Sequence, residues 1–169
     1  MLRRDVRYQA AIVQNDHVLL LKVVDIDSGA MFWLLPGGGR EGGESEEACV
    51  QREVREETEL EVTVVRPLFE MPDHPGGIYS RLRTYLCHVT SGEARPGIEP
   101  EVDTAALRTI REVGWFDLHA PTTWNELVGG DPITMPLLRQ VRVALGYATD
   151  EAKHGSADPS AYHAPADWS

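Results

Sequence analysis

GGGREGGESEEACVQREVREETEL, residues 37–60, sets three adjacent glycines ahead of a segment with more acid than a stable surface helix needs. Ser45 suits a helix N-cap. Glu46 and Glu47 then fall in the first turn, where the helix dipole favours negative charge and no further role is required. Glu53, Glu56 and Glu57 differ, because at about 100° per residue they fall within roughly a 100° arc of one face. Glu53 stands i,i+3 and i,i+4 from the other two, and each such like-charge pair costs a helix about 0.2–0.5 kcal/mol. A charge run of this kind is ordinarily a solvated face. The neighbouring glycines favour another reading. An oxygen-only cluster suits a hard divalent cation, Mg²⁺ or Mn²⁺, whereas zinc would take His or Cys ligands that are missing nearby. Mg²⁺ commonly bridges protein carboxylates to substrate phosphates, so a carboxylate helix beside a glycine-rich turn points to phosphate-ester or pyrophosphate chemistry. Gly37, Gly38 and Gly39 allow close backbone approach to a substrate, or simply a tight turn between strand and helix. They lack the GK[ST] ending of a P-loop and the GxGxxG pattern of a dinucleotide fold.

Upstream of this stretch the chain reads as β structure. YQAAIVQ (8–14) and HVLLLKVV (17–24) are β-rich runs separated by Asn15 and Asp16, which predicts a hairpin. MFWLLP (31–36) is a short buried strand ending at proline. Downstream, LEVTVVRPLFE (60–70) is a strand crossed by Pro67, hence an edge or a bulge. IYSRLRTYLCHV (78–89) is a long alternating strand, SGEARPGIEPEVD (91–103) an acidic loop by composition, and REVGWFDL (111–118) a further short strand. Pro136 suits the first turn of a helix reaching about Gly146, with Leu137, Leu138, Val141 and Leu145 covering one face. Residues 1–148 read as a single domain, and 149–169, rich in Ala, Asp, Ser, His and Pro, as a tail that is flexible or packed on a partner.

Composition narrows the function classes. Sixteen Lys and Arg against 27 Asp and Glu leave a net charge of −11, which repels nucleic-acid backbones and anionic membranes. Phosphate chemistry on such a chain calls for metal ions. The two cysteines, Cys49 and Cys87, are too few for a disulfide framework or a zinc cage, and a reducing cytoplasm fits them. No run of about 18 apolar residues marks a membrane span, and no apolar stretch follows the basic start as in a signal peptide.

The spacing of the opening stretch resembles the Nudix box: a glycine, five residues, Glu, seven residues, then Arg-Glu-aliphatic-x-Glu-Glu-x-Gly-aliphatic. Gly38 is followed in that way by Glu44, and then by Arg52, Glu53, Val54, Glu56, Glu57 and Leu60. One specified position departs, since Glu59 stands where the family usually has glycine. The resemblance implies an α/β/α sandwich with a mixed β-sheet between helices. It also implies metal-dependent hydrolysis of a nucleoside diphosphate linked to another moiety, with no nucleic-acid or membrane partner; homodimerisation is left open.

Carried over by position, Glu53, Glu56 and Glu57 would bind the metal together with the Gly38 carbonyl, with Arg52 and Glu44 in support. Arg52 is placed to pair with a carboxylate, and a pairing with Glu44 would tie loop to helix; a plain i,i+4 surface pair with Glu56 is the simpler alternative. The general base would be Glu57 or Glu101, with Glu101 slightly preferred. Pro75, fifteen residues past Leu60, resembles a mark of ADP-ribose-cleaving members, though loop prolines have turn reasons of their own. Trp33, Tyr79 and Tyr85 could stack on a base, but strand aromatics more often pack in the core. A MutT-like nucleoside triphosphate pyrophosphohydrolase, and a regulator that binds a nucleotide without turning it over, are the alternatives. Because Glu is poorly tolerated in the left-handed region, a turn rebuilt with ordinary negative φ is expected at Glu59.

Overall fold

The computed structural model describes residues 4–97, 108–124, 128 and 131–147. The chain runs β1 (Arg4–Gln14), β2 (His17–Asp25), β3 (Met31–Leu34), β4 (Gly37–Gly38), α1 (Glu46–Thr58), β5 (Glu61–Pro72), β6 (Tyr79–Ser91), β7 (Arg108–Asp117), a 3₁₀ turn (Pro121–Thr123) and α2 (Thr134–Ala144). The strands form one mixed sheet along the path β3-β2-β1-β6-β5, with β4 also on β1 and β7 also on β2.

β1 is the hinge of this arrangement. Its far end turns back into β2 through Asn15 (φ 49°) and Asp16 (φ 58°), two left-handed residues as a type I′ hairpin requires. That antiparallel ladder is short, Val13 opposite Val18 and Gln14 opposite His17. The rest of β1 pairs parallel with β6, from Arg4 opposite Tyr79 to Ile12 opposite Cys87, so the strand begins four residues before the run 8–14 read from the sequence. Tyr8 and Gln9 also pair with Gly38 and Gly37, which brings the glycine turn onto the sheet. β5 lies at the end of the path, and its register shifts on both sides of Pro67, so the proline sits at an edge and at a bulge together.

Alternation along β1 divides the core. Val6, Tyr8, Ala10 and Ile12 pack with Cys49, Val50 and Val54 of α1, while Ala11 joins the cluster that buries Leu137, Leu138 and Val141 of α2. One helix therefore covers each face, an α/β/α sandwich. α2 starts two residues ahead of Pro136, which stays in the first turn where a missing N–H costs nothing. Trp33 and Tyr85 are core residues, Trp33 meeting Phe116 edge-on at 5.1 Å between ring centroids. Among the described residues no helix is long and apolar enough to cross a membrane. Residues 98–107, including Glu101, and the tail lie outside the described residues.

Candidate active site on the carboxylate helix

Ser45 caps α1, its hydroxyl accepting from the Ala48 N–H at 3.1 Å. The loop before it is closed by Arg40, whose guanidinium donates twice to the Glu44 carbonyl (3.1 and 2.7 Å), and by the Glu41 N–H, which donates to the Glu44 carboxylate (2.7 Å). Loop and helix are thus joined at Glu44.

Arg52 makes that junction. It donates to both Glu44 oxygens (3.2 and 2.8 Å) and to the Gly39 carbonyl (3.1 Å). On the helix itself it reaches Glu53 at 2.9 Å and Glu56 at 3.1 Å. The loop-to-helix pairing and the i,i+4 pair with Glu56 are therefore both present, and the guanidinium shared by Glu53 and Glu56 explains how like charges at those positions coexist. One guanidinium with a planar fork of donors serves three carboxylates and a backbone carbonyl.

Glu53 lies against the glycine turn. A Cβ added at Gly38 would come 2.2 Å from its Oε1, so only glycine leaves room for this carboxylate. Gly37 is equally constrained from the other side, where a Cβ would come 2.3 Å from the Tyr8 carbonyl oxygen. Burial pushes the Glu53 carboxyl above its ordinary pKa, with the charges of Arg7 and Arg52 pulling the other way. Glu57 is buried and turned inward, its Oε2 accepting from the Gly37 N–H at 2.7 Å. The thiol of Cys49 lies 3.9 Å from the Gly38 carbonyl oxygen, and burial pushes its pKa up to about 12, so it stays protonated.

The structure thus gathers Glu44, Arg52, Glu53 and Glu56 into one cluster and sets Glu57 beside it, with Gly37, Gly38 and Gly39 along one wall. The acids do not converge as they stand, since among the described residues no three His, Cys, Asp or Glu side chains are close enough together to hold one ion. Their donor chemistry nonetheless fits a hard divalent cation: the donors are oxygens, negative charge is in excess, and a buried carboxyl with a raised pKa gains from a cation.

Three features were not read from the sequence. Glu46 is engaged by Arg83 (2.7 Å) and by the Tyr85 hydroxyl, a role beyond the helix dipole. Arg7 supplies positive charge behind Glu53, and nothing in the strand pattern marks it. Glu59 has φ 61° and ψ 13°, which overturns the expected rebuilt turn: its N–H bonds to the Arg55 carbonyl (3.1 Å) and the chain leaves the helix left-handed, as a glycine would.

Residues 4–133 match the family model described as NUDIX domain. The chain is 43% identical over 60 residues to "Nucleoside triphosphatase NudI" of Enterobacter sp. (strain 638), an alignment covering 33% of this chain and 43% of that protein's length. Among solved structures it resembles a MutT NUDIX hydrolase from Burkholderia pseudomallei, with 28% identity and a TM-score of 0.56 over 87% of this chain and 99% of that one. A NUDIX hydrolase from Nitrosomonas europaea (21% identity, TM-score 0.62, 88% and 95% covered) and an ADP-ribose pyrophosphatase from Streptococcus suis (24%, 0.57, 90% and 93%) share the fold.

Proposed function

Since the chain belongs to the Nudix hydrolase family, we propose that it hydrolyses the pyrophosphate bond of a nucleoside diphosphate linked to another moiety, with ADP-ribose or a related nucleotide sugar favoured. The observation that carries this reading is the joining of Glu44, Glu53 and Glu56 by Arg52 beside the close-packed glycine turn. Nudix hydrolases generally use divalent metals, and here Glu53, Glu56, Glu57 and the Gly38 carbonyl would hold Mg²⁺ or Mn²⁺. Bound there, the cation supplies water activation and neutralises charge on the diphosphate.

The chain's own residues do the rest. Arg52 keeps the carboxylates in register, and the glycine turn lets backbone approach the phosphates. A carboxylate takes the proton of the attacking water, and Glu57 and Glu101 are the two candidates. Glu57 is buried and already accepts a backbone hydrogen bond, which makes it better suited to positioning than to exchanging protons. In favour of Glu101, the loop that leads to it starts at the helix exit: the Arg95 and Gly97 N–H groups donate to the Thr58 and Glu57 carbonyls at 2.9 and 2.8 Å. From Gly97 the four residues to Glu101 span at most about 14 Å.

The MutT-like reading, a nucleoside triphosphate pyrophosphohydrolase, draws on the NudI and MutT relatives. A non-catalytic nucleotide binder is disfavoured by the intact glutamates. A screen of ADP-ribose, nucleotide sugars, dinucleoside polyphosphates, coenzyme A, NADH and nucleoside triphosphates with Mg²⁺ or Mn²⁺ tests all three. A nucleoside monophosphate should appear only with metal, and Glu56→Gln should lose most of the rate while remaining folded. Equal turnover in chelator would sink the mechanism.

A further inference from the structure

The last carbonyls of an α-helix have no partner within the helix itself. In α1 they belong to the turn that carries Glu56 and Glu57, so whatever satisfies them also holds those two residues. The segment leaving β6 does this. β6 ends with Ser91 opposite Glu61, and Gly92 (φ 96°) turns the chain back along the helix. Residues 92–97 then lie as a strap on the last turn of α1. The Arg95 N–H donates to the Thr58 carbonyl at 2.9 Å and the Gly97 N–H to the Glu57 carbonyl at 2.8 Å. Ala94 packs against the cluster that buries Val50 and Val54 of the same helix. Arg95 grips through its backbone, since its side chain is exposed and pairs with Glu93 at 2.7 Å.

The fit is closest at Gly97. A Cβ there would come 1.8 Å from the Glu56 carbonyl oxygen and 2.8 Å from the Glu57 carbonyl carbon. Any other residue must push strap and helix apart, and the hydrogen bond to Glu57 is lost with the contact. At their carboxylate ends the same two residues meet the Gly37 N–H (2.7 Å to Glu57) and Arg52 (3.1 Å to Glu56). Glu57 is thus held at carbonyl and carboxylate by backbone N–H groups from two separate parts of the chain.

We propose that the 92–97 strap is a positioning element for cation binding and that Gly97 is its critical residue. By gripping the carbonyl end of α1 it fixes the backbone of Glu56 and Glu57, so that side-chain rotation alone brings their carboxylates to a divalent ion. This rests on the reading of α1 as the cation-binding helix. Mg²⁺ demands near-ideal octahedral placement of its ligands, so a slackened last turn costs affinity before it costs the fold. Gly97 itself touches neither ion nor substrate and acts through the helix.

Free Mn²⁺ is counted by electron paramagnetic resonance as the full chain is titrated without substrate, and urea denaturation is run on the same proteins. Gly97→Ala should raise the Mn²⁺ dissociation constant about tenfold or more. Ala94→Gly, which loosens the strap without a clash, should raise it about threefold and decides the matter where Gly97→Ala does not fold. Two controls separate positioning from plain stability. Val141→Ala opens a cavity in the cluster under α2, on the opposite face of the sheet, and should lower the urea midpoint while leaving Mn²⁺ affinity within about twofold. Arg95→Gln keeps the backbone hydrogen bond and should also stay within about twofold. An unchanged constant in Gly97→Ala, or in Ala94→Gly where Gly97→Ala does not fold, overturns the proposal. So does a loss in either control as large as that in Gly97→Ala. Wild type that binds no Mn²⁺ refutes the cation site and the strap's role together. Mn²⁺ affinity that depends on Gly97, in a protein that hydrolyses no nucleotide, supports the strap while refuting the hydrolase reading.

Discussion

Glu59 closes α1 in a backbone conformation that costs a residue with a Cβ on the order of 1 kcal/mol. Glu59→Gly is therefore expected to stabilise the fold, by up to about 0.6 kcal/mol after the extra unfolded-chain entropy of glycine is counted. Thermal or urea denaturation at fixed metal concentration checks it, and a lower midpoint in the mutant would refute the strain. Residue preference alone pointed to the opposite turn, because it weighs what glutamate favours and not how the next strand must leave the helix. Arg52 was easier to read, since two of its partners, Glu44 and Glu56, lie at spacings the sequence displays. Arg52→Lys keeps the charge but loses the fork, so a loss of about 10–100-fold in activity or metal affinity is expected. Arg52→Ala leaves Glu44, Glu53 and Glu56 without their shared cation and should also cost about 1–3 kcal/mol of stability. A metal titration of activity combined with urea denaturation separates the two effects.

The first turn of α1 is fastened to β6 through Glu46, which meets the Tyr85 hydroxyl and Arg83, while Arg83 also holds Glu70 of β5 at 2.9 Å. Burial alone would raise the Glu46 carboxyl, yet Tyr85 and Arg83 hold it below its ordinary value. The sign follows: stability from this group is present above the unfolded carboxyl pKa and is lost as pH falls through the lower folded one. Glu46→Gln should cost about 1–3 kcal/mol near neutrality, and the gap from wild type should narrow in acid. Urea midpoints at pH 7 and below pH 4 decide it; a gap that widens in acid contradicts the assignment. Local pattern revealed most elements, because alternation, an Asn-Asp turn and a proline each act over a few residues. The parallel pairing of β1 with β6 left no such trace, since its two strands are matched only through space. Glu46 stayed hidden for the same reason, its partners lying 37 and 39 residues away.

For the molecule as a whole, the proposed cation site on the acid-rich helix would couple folding to cation binding. Mg²⁺ that binds only the folded chain should stabilise it by about 2.7 kcal/mol at a hundredfold excess over its dissociation constant. Sodium chloride of equal ionic strength should give far less, and equal midpoint shifts from the two salts would argue against a specific site. At the C-terminal side, the Tyr147 hydroxyl bonds Asp16 in the β1–β2 turn and its ring meets His119 edge-on at 4.9 Å, so the fold is tied off there. A chain cut after residue 148 is expected to melt within a few degrees of the full one. The long reach of β1 has another outcome. Gln9 bonds Thr84, 75 residues further on, and only two residue pairs join β1 to β2 in the meantime. At about 5–20 residues per second on the ribosome, the newborn strand waits roughly 4–15 s for its partner to be made. During that interval the apolar run AAIV at 10–13 has an unsatisfied edge, so this protein's most exposed moment comes while it is still being translated.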